Sequence, residues 1–309
     1  MGSRVAPLLL AVAILTATAC RKEPERSGDG GAAASAPAPA PEERLLTLAD
    51  LSASTRLDAR IQRLIALAGE YKLALTFDRG PRLTEHTNLV SKRLEEALPE
   101  AERALADVRD PRDRALSDAT MVAARRWPKL LRAARDELVS SPNAPTRAAD
   151  ALAAADDELE RALGAYRAFR ATWRITDSPA EPEPVLEFLR ARRDLEAAEV
   201  AWGRRLRDAA GSTAGAGARA DLEKLVARAR AAAARVDEAR RSSAQRFVDA
   251  EERALMALAG MVAPAALDEQ RERDALSYQI AKVGALEAVA DYVSLTAKSA
   301  PDARRASTR

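Results

Sequence analysis

The sequence predicts an all-α protein: an elongated antiparallel bundle of about seven helices that follows a disordered linker and divides into two sub-bundles. Its composition supports this fold, because 31% of the residues are charged, only 4% are aromatic, and alanine, leucine and arginine are abundant. Apolar residues also recur in alternating steps of three and four, which places them along one face of a helix. Comparable runs with the period-two alternation of a half-buried strand are missing from the sequence.

Five apolar stripes support the helical prediction. Each combines large apolar residues with alanine, and arginine and acidic residues occupy the remaining faces. The stripes are Leu57, Ile61, Leu64, Ala68, Tyr71 and Leu75; Leu152, Ala155, Leu159, Tyr166, Phe169 and Trp173; Phe188, Leu195, Ala198, Trp202 and Leu206; Leu222, Leu225, Ala229, Val236, Phe247 and Leu258; and Leu276, Ile280, Val283, Ala290 and Val293.

Proline and glycine divide the region into helices, since neither residue continues a helix easily. Pro99 and Pro128 fall inside two of these helices and are expected to kink or split them. Short connections make successive helices antiparallel neighbours, and the Pro-rich break at 178–184 separates a first sub-bundle (45–177) from a second sub-bundle (185–299). The predicted helices are 55–77, 82–109, 111–140, 146–175, 185–210, 218–261 and 265–298, followed by a disordered tail at 300–309.

The amino terminus has the plan of a secretory signal peptide at residues 1–19. A positively charged start, MGSR, precedes an apolar run of about 15 residues that ends in small residues. A membrane-spanning helix needs roughly 20 apolar residues, so this run is too short to span comfortably. The only cysteine of the chain, Cys20, follows directly.

The residues Ala17, Thr18 and Ala19 before Cys20 resemble the lipobox of bacterial lipoproteins, although Ala17 stands where leucine is commonest. The resemblance covers only the first 20 or so residues. It implies cleavage between Ala19 and Cys20, a diacylglyceryl thioether on Cys20, and attachment to the lipid bilayer by two or three acyl chains. Arg21 stands where aspartate would retain such a protein in the inner membrane, so the resemblance implies the outer membrane, facing the periplasm. An ordinary signal peptide and a lone structural cysteine are the alternatives.

A linker occupies residues 20–44, where glycine, serine and an Ala-Pro alternation replace large apolar side chains. Such a composition cannot bury enough apolar surface to fold, and the Ala-Pro stretch favours an extended spacer. We therefore expect a leash of at most some tens of Å between the bilayer and the helical domain.

Residue types exclude most catalytic and metal sites. His86 is the only histidine, so His-based zinc and di-iron sites are excluded, and the sole cysteine is assigned to lipid. The sequence contains no nucleophile elbow or Walker loop, and the GSTAGAG stretch is best explained as a linker. We predict no catalytic residues, no cofactor and no enzymatic activity.

The balance of charge argues against nucleic acid as a partner. Without Arg4 of the leader, 48 basic side chains face 47 acidic ones, and the two signs alternate closely along the helices. Phosphate binding would need a clustered basic patch. Closely alternating charges are typical of solvated helix faces.

Individual polar residues receive structural interpretations. His86 is expected at the boundary of an apolar stripe, where a pH-sensitive contact is the alternative. Asp110 and Asp113 are expected to cap or favour a helix start, and Asp107 lies beside them with a spacing unlike that of an EF-hand. The acidic run 155–160 is expected in the first turns of its helix, where negative charge stabilises the helix N-terminus.

The aromatic residues Tyr166, Phe169 and Trp173 are expected to be core. A groove beside the Pro-rich break that exposes Trp173 is the alternative.

Three classes of function remain. The leading hypothesis is a non-catalytic lipoprotein that presents its helices for protein–protein contact, self-association or envelope scaffolding. The second is a small-molecule or lipid-binding module with a groove between the sub-bundles. The third is an enzyme that uses carboxylates and arginines alone, which requires acidic residues that converge in a cleft with raised pKa values.

Overall fold

The computed structural model describes residues 44–140, 147–170, 173–175, 183–208, 214–261 and 268–299. Within these ranges the chain is an all-α helical bundle, which confirms the predicted fold class. It has eight helices and two short strands there: β1 (Arg44–Leu46), α1 (Leu48–Phe77), α2 (Gly80–Ala106), α3 (Pro111–Ser140), α4 (Arg147–Arg170), β2 (Trp173–Ile175), α5 (Glu183–Asp208), α6 (Ala214–Ala233), α7 (Glu238–Met261) and α8 (Asp268–Ser299). The predicted signal peptide, residues 20–43 of the linker, residues 178–182 of the break and the tail lie outside the described residues.

Side-chain caps define the starts of α1 and α3. The Thr47 hydroxyl accepts a hydrogen bond from the Asp50 N–H at 3.1 Å, at the start of α1. Asp110 accepts from the N–H of Asp113 at 2.7 Å before α3, as the sequence predicts. Each cap satisfies a backbone donor that has no partner within its helix.

The prediction of a single helix over 218–261 is wrong. This segment contains two helices, α6 and α7, which are separated at residues 234–237. The break contains neither proline nor glycine. It depends on Asp237, whose Oδ1 accepts a hydrogen bond from the Arg240 N–H at 3.1 Å and so starts a new helix.

The predicted helix 146–175 is too long. α4 ends at Arg170, and Trp173–Ile175 form β2, which pairs in parallel with β1. Each strand has only three residues, with Arg44 opposite Trp173 and Leu46 opposite Ile175. Strands this short carry too few residues for an alternating pattern to be recognised.

The prolines inside α2 and α3 do not split these helices. α2 continues through Pro99 and α3 through Pro128 as single elements. A proline removes one hydrogen bond of the helix. Packing of the rest of the helix outweighs that loss here.

Neighbouring helices run antiparallel, as predicted. The direction follows from pairs of contacts in which one residue number rises as the other falls. Such pairs are Glu95–Arg132 and Glu102–Arg125 for α2 and α3, Arg60–Glu287 and Gln62–Gln279 for α1 and α8, and Glu251–Lys282 and Arg246–Asp291 for α7 and α8.

Two groups of buried apolar side chains form the core. We call them the first apolar cluster, drawn from α1–α4, and the second apolar cluster, drawn from α5–α8 and the start of α1. α1 contributes to both and also packs along α8, so it joins the two halves. The largest members include Leu57, Tyr71, Leu94, Met121 and Trp127 in the first cluster and Leu51, Phe188, Phe247, Leu258 and Tyr292 in the second.

The apolar stripe of α1 is confirmed, since Leu57, Ile61 and Tyr71 are completely or almost completely buried. The stripe of α8 is wrong at Ile280, whose exposed fraction is 56%. α8 packs against both α1 and α7, so it buries a wider arc that includes Tyr278 and Lys282 instead.

Candidate functional site: a buried charge cluster

Three charged side chains meet inside the second half of the bundle. Lys282 on α8 donates from Nζ to both carboxylate oxygens of Glu199 on α5, at 2.8 Å each. The same Nζ donates to Oε1 of Glu251 on α7 at 2.6 Å. We call Lys282, Glu199 and Glu251 the charge cluster. Charge-assisted bonds of this length are strong, and here they join three helices.

Each member of the charge cluster occupies an inward position of its helix. Leu195 lies one turn before Glu199 and is buried, and buried alanines flank Lys282 at positions 281 and 285. The three charged residues are themselves buried, with exposed fractions of 7% for Glu199, 2% for Glu251 and 8% for Lys282. The amphipathic pattern that buries the apolar stripes therefore buries these charges as well.

One ammonium faces two carboxylates, so the charge cluster carries one excess negative charge when all three groups are ionised. Burial raises the pKa of Glu199 to about 7, although Lys282 opposes this shift, and the repulsion from Glu251 adds to it. Burial lowers the pKa of Lys282, but attraction to Glu199 and Glu251 outweighs that effect, and the net pKa is raised. Lys282 therefore stays protonated at neutral pH, and Glu199 is the group that changes charge there.

Tyr278, one turn before Lys282, belongs to the same environment. Burial raises the pKa of its hydroxyl well above the usual value, and the carboxylates of Glu199 and Glu251 raise it further. Tyr278 therefore remains neutral over the range in which Glu199 titrates.

A cavity of about 50 Å³ adjoins the charge cluster and reaches towards α1 and α4. Three hydrogen-bonded side chains line it: Arg167 donates to Oε1 of Gln62 at 3.1 Å, and Nε2 of Gln62 donates to Oε1 of Gln279. The volume suits a few water molecules. Pockets for drug-sized ligands measure roughly 300–1,000 Å³.

This arrangement can hold a proton, since Glu199 is a carboxyl that titrates near pH 7 beside a polar cavity. Lys282 is a poor nucleophile because it is protonated and bonded to two carboxylates. Two converging acidic residues, one with a raised pKa, are the feature that the enzyme hypothesis requires. Here, however, the ammonium lies between them and occupies the space that a reacting group would need.

The residues predicted to carry the lipid anchor, Ala19 and Cys20, lie outside the described residues. His86 lies in the second turn of α2, and its side chain is 30% exposed, which places it at the boundary of the apolar stripe as predicted. Its Nδ1 is 2.7 Å from Oδ2 of Asp78, and its Nε2 is 3.5 Å from Oε1 of Glu70. The histidine therefore bridges two acidic residues of the α1–α2 corner.

Asp113 does more than favour the start of α3. It is buried, and one of its carboxylate oxygens accepts a hydrogen bond from the Ser54 hydroxyl at 2.7 Å, which ties α3 to α1. Asp107 follows the end of α2 and is exposed, 3.9 Å from Arg56.

The interpretation of the acidic run 155–160 is wrong. α4 begins at Arg147, so the run lies in its third and fourth turns rather than at its start. Two of its four acidic side chains pair with other helices instead: both oxygens of Asp156 accept from Lys72 Nζ at 2.5 and 2.6 Å, and Glu158 pairs with Arg126.

The predicted aromatic core is confirmed at Tyr166, which is completely buried. Phe169 is half-buried, and the guanidinium of Arg112 lies over its ring, 5.0 Å from the centroid. Trp173 belongs to β2 rather than to the helix.

The charge cluster was not predicted, because its members lie on three helices and are 31 to 83 residues apart. The sequence signal that could have revealed the charge cluster is the position of its residues around their helices. Lys282 and Glu251 fall on the inward faces of α8 and α7, where apolar residues are expected. A charged residue on the inward face of a helix indicates that it has a buried partner of opposite charge.

No protein-family model matches this sequence, and neither the curated proteins nor the solved structures include a match to it. Among the described residues, acidic, histidine and cysteine side chains nowhere gather in a group of three or more that could hold a metal ion. Within the same portion of the chain, none of the helices has the length and apolar character needed to cross a membrane.

Proposed function

We propose that this protein is a bacterial lipoprotein, anchored through acylated Cys20 to the outer membrane and facing the periplasm, whose helical domain contacts other proteins without catalysis. The observation that carries this proposal is the only cysteine of the chain, placed directly after Ala19 at the end of a short apolar leader. Two or three acyl chains give stable attachment, whereas a single chain is marginal. The domain is then anchored to a membrane rather than spanning it.

The chemistry of the described domain supports a contact role. Its buried charge cluster is bonded within itself, and the cavity beside that cluster is too small for an organic substrate. Cross-helix ion pairs such as Glu102–Arg125 and Arg246–Asp291 lie on the surface, and a few large apolar side chains are exposed there. These positions are candidates for contact with another protein or a second copy: Leu89, Val122, Val139, Met256 and Ile280.

Labelled palmitate fed to a Gram-negative host tests the anchor. The full-length protein is expected to incorporate label and to fractionate with membranes, and Cys20→Ser is expected to do neither. Ser27→Ala, a change in the predicted linker, is the matched control and should behave like the original chain. Incorporation into Cys20→Ser would contradict the proposal.

The residue after the cysteine tests the choice of membrane. Arg21→Asp is expected to move the protein from outer-membrane to inner-membrane fractions of a density gradient, with its acylation unchanged. Arg21→Lys keeps the charge and should leave the protein in the outer membrane. Identical fractionation of both variants would contradict outer-membrane sorting through this position.

The contact role is tested by a photo-crosslinking residue at position 256, where the Met256 side chain is 70% exposed. Adducts of defined mass in intact cells are expected at this position or at Leu89. An exposed position on a charged face, Lys224, is the control. A complete lack of adducts at all five apolar positions would contradict protein contact through them.

The alternative, a small-molecule or lipid-binding lipoprotein, needs a groove several times larger than the cavity beside the charge cluster. That cavity is also lined by charged groups on several helices, which does not favour a lipid chain.

A further inference from the structure

The charge cluster joins the helices of the second half to the rest of the bundle. Glu199 belongs to α5, Glu251 to α7 and Lys282 to α8, and the adjoining cavity is lined by Asp58 of α1 and Arg167 of α4. A change of charge at this point therefore acts on five helices at once.

The cluster is not electrically balanced when fully ionised. Lys282 provides one positive charge for the carboxylates of Glu199 and Glu251, which share it at 2.6 to 2.8 Å. Arg192 and Glu196, on the same helix as Glu199, pair with each other at 3.1 Å and so cancel. Asp58 and Arg167 are opposite in sign as well, so the excess negative charge stays with the two glutamates.

We propose that the charge cluster takes up one proton on Glu199 near neutral pH, and that this proton stabilises the junction of α5 with α7 and α8. The neutral carboxyl of Glu199 still accepts a hydrogen bond from Lys282, while its new O–H can donate to the neighbouring hydroxyl of Tyr278. Lys282 then forms one balanced ion pair with Glu251. The proton comes from water, which the adjoining cavity of about 50 Å³ has room to hold.

The direction of the effect follows from linkage. Burial raises the pKa of Glu199 from 4.5 to about 7, so the folded protein binds this proton more tightly than the unfolded chain does. Above pH 7 Glu199 is charged in the folded protein, and the penalty of burying this charge lowers the free energy of unfolding. That penalty is relieved as the pH falls from about 7 towards 4.5.

Urea unfolding of the full chain and of Glu199→Gln at pH 8.0 and pH 5.5 tests this proposal. Glutamine resembles the protonated glutamate, so the variant is expected to be more stable than the original at pH 8.0, and this advantage should shrink at pH 5.5. The folding equilibrium constant of the variant divided by that of the original should fall about thirtyfold from pH 8.0 to pH 5.5. Each pH unit between the two pKa values corresponds to a factor of ten, and pH 5.5 lies about 1.5 units below the folded pKa.

Glu187→Gln is the matched control, because Glu187 lies on the same helix and pairs at the surface with Arg235. The difference in the free energy of unfolding between Glu187→Gln and the original chain should be the same at both pH values. If the advantage of Glu199→Gln does not depend on pH, or grows on acidification, Glu199 is held ionised by Lys282 and the proposal is wrong.

A measurement on the unsubstituted protein keeps the proposal testable if Glu199→Gln does not fold. Carbon-13 NMR of the glutamate carboxyl groups should show one resonance that titrates near pH 7. If all glutamate carboxyls of the folded protein titrate below about pH 5, the value expected for unperturbed groups, the proposal is wrong.

Discussion

The two halves of the bundle differ in how they bury charge. The first apolar cluster, in α1–α4, is built around Tyr71, Leu94 and Trp127. A buried carboxylate of this half, Asp113, accepts from a neutral hydroxyl, and its Lys72–Asp156 ion pair stays partly exposed. The second apolar cluster packs Phe188 against Phe247 and Tyr292, at centroid distances of 5.5 and 4.5 Å. Beside these rings it also encloses the charge cluster.

This difference shows that similar amphipathic helices can produce cores that respond differently to pH and to substitution of charged residues. An exposed ion pair contributes little and can be lost at small cost. A buried charge whose partner is removed must either change its protonation or remain unpaired in a poorly solvated place. We therefore expect the second half to respond to charge substitutions and pH. Outside the Ser54–Asp113 contact, the first half should respond mainly to changes of apolar volume.

The largest effect is expected at Lys282. Lys282→Met leaves Glu199 and Glu251 buried without a cation, which should reduce the free energy of unfolding at pH 8 by about 3–5 kcal/mol. Urea unfolding followed by circular dichroism measures this change. Lys224→Met, at a lysine whose side chain is 78% exposed, is the control and should have little effect. A loss as small as that of the control would show that the buried pairs do not hold the second half together.

A matched pair of leucines tests whether the halves unfold together. Leu94 in the first apolar cluster and Leu258 in the second each have an exposed fraction of 1%. Replacement of either by alanine should cost about 2–5 kcal/mol. Because α1 packs along α8 and belongs to both clusters, we expect each variant to shift one common unfolding transition. Two separate transitions, with only one shifted by each variant, would contradict this expectation.

The smallest effect is expected at the break between α6 and α7. Asp237→Ala removes the side chain that accepts from the Arg240 N–H and should cost about 1 kcal/mol. Asp221→Ala, at an exposed aspartate of α6, is the control. Thermal unfolding compares them, and equal melting temperatures would show that Asp237 does not define the break.

The sequence was sufficient to predict the fold class and the inward face of α1. Leu57, Ile61 and Tyr71 follow a single stripe because the inward arc of α1 is mostly apolar. The break at 234–237 could not be recognised from proline or glycine, since an aspartate cap starts α7 instead. The pairing of β1 with β2 depends on a contact between residues far apart in the chain.

The candidate site was harder to predict than the fold. Glu199, Glu251 and Lys282 each resemble ordinary surface residues of a helix rich in charge, and only tertiary packing brings them together. The error at Ile280 has the same origin, because one stripe was expected where α8 has two packing partners. The predictions for residues 1–43, including Cys20, concern a segment of the chain outside the described residues.

The intact mass of the protein purified from the membranes of a Gram-negative host tests the central claim most directly. We expect a chain that begins at Cys20 and carries the added mass of two or three acyl chains, together with loss of that species in Cys20→Ser. A mass that retains residues 1–19, or an unmodified chain cleaved elsewhere, would contradict the lipoprotein assignment.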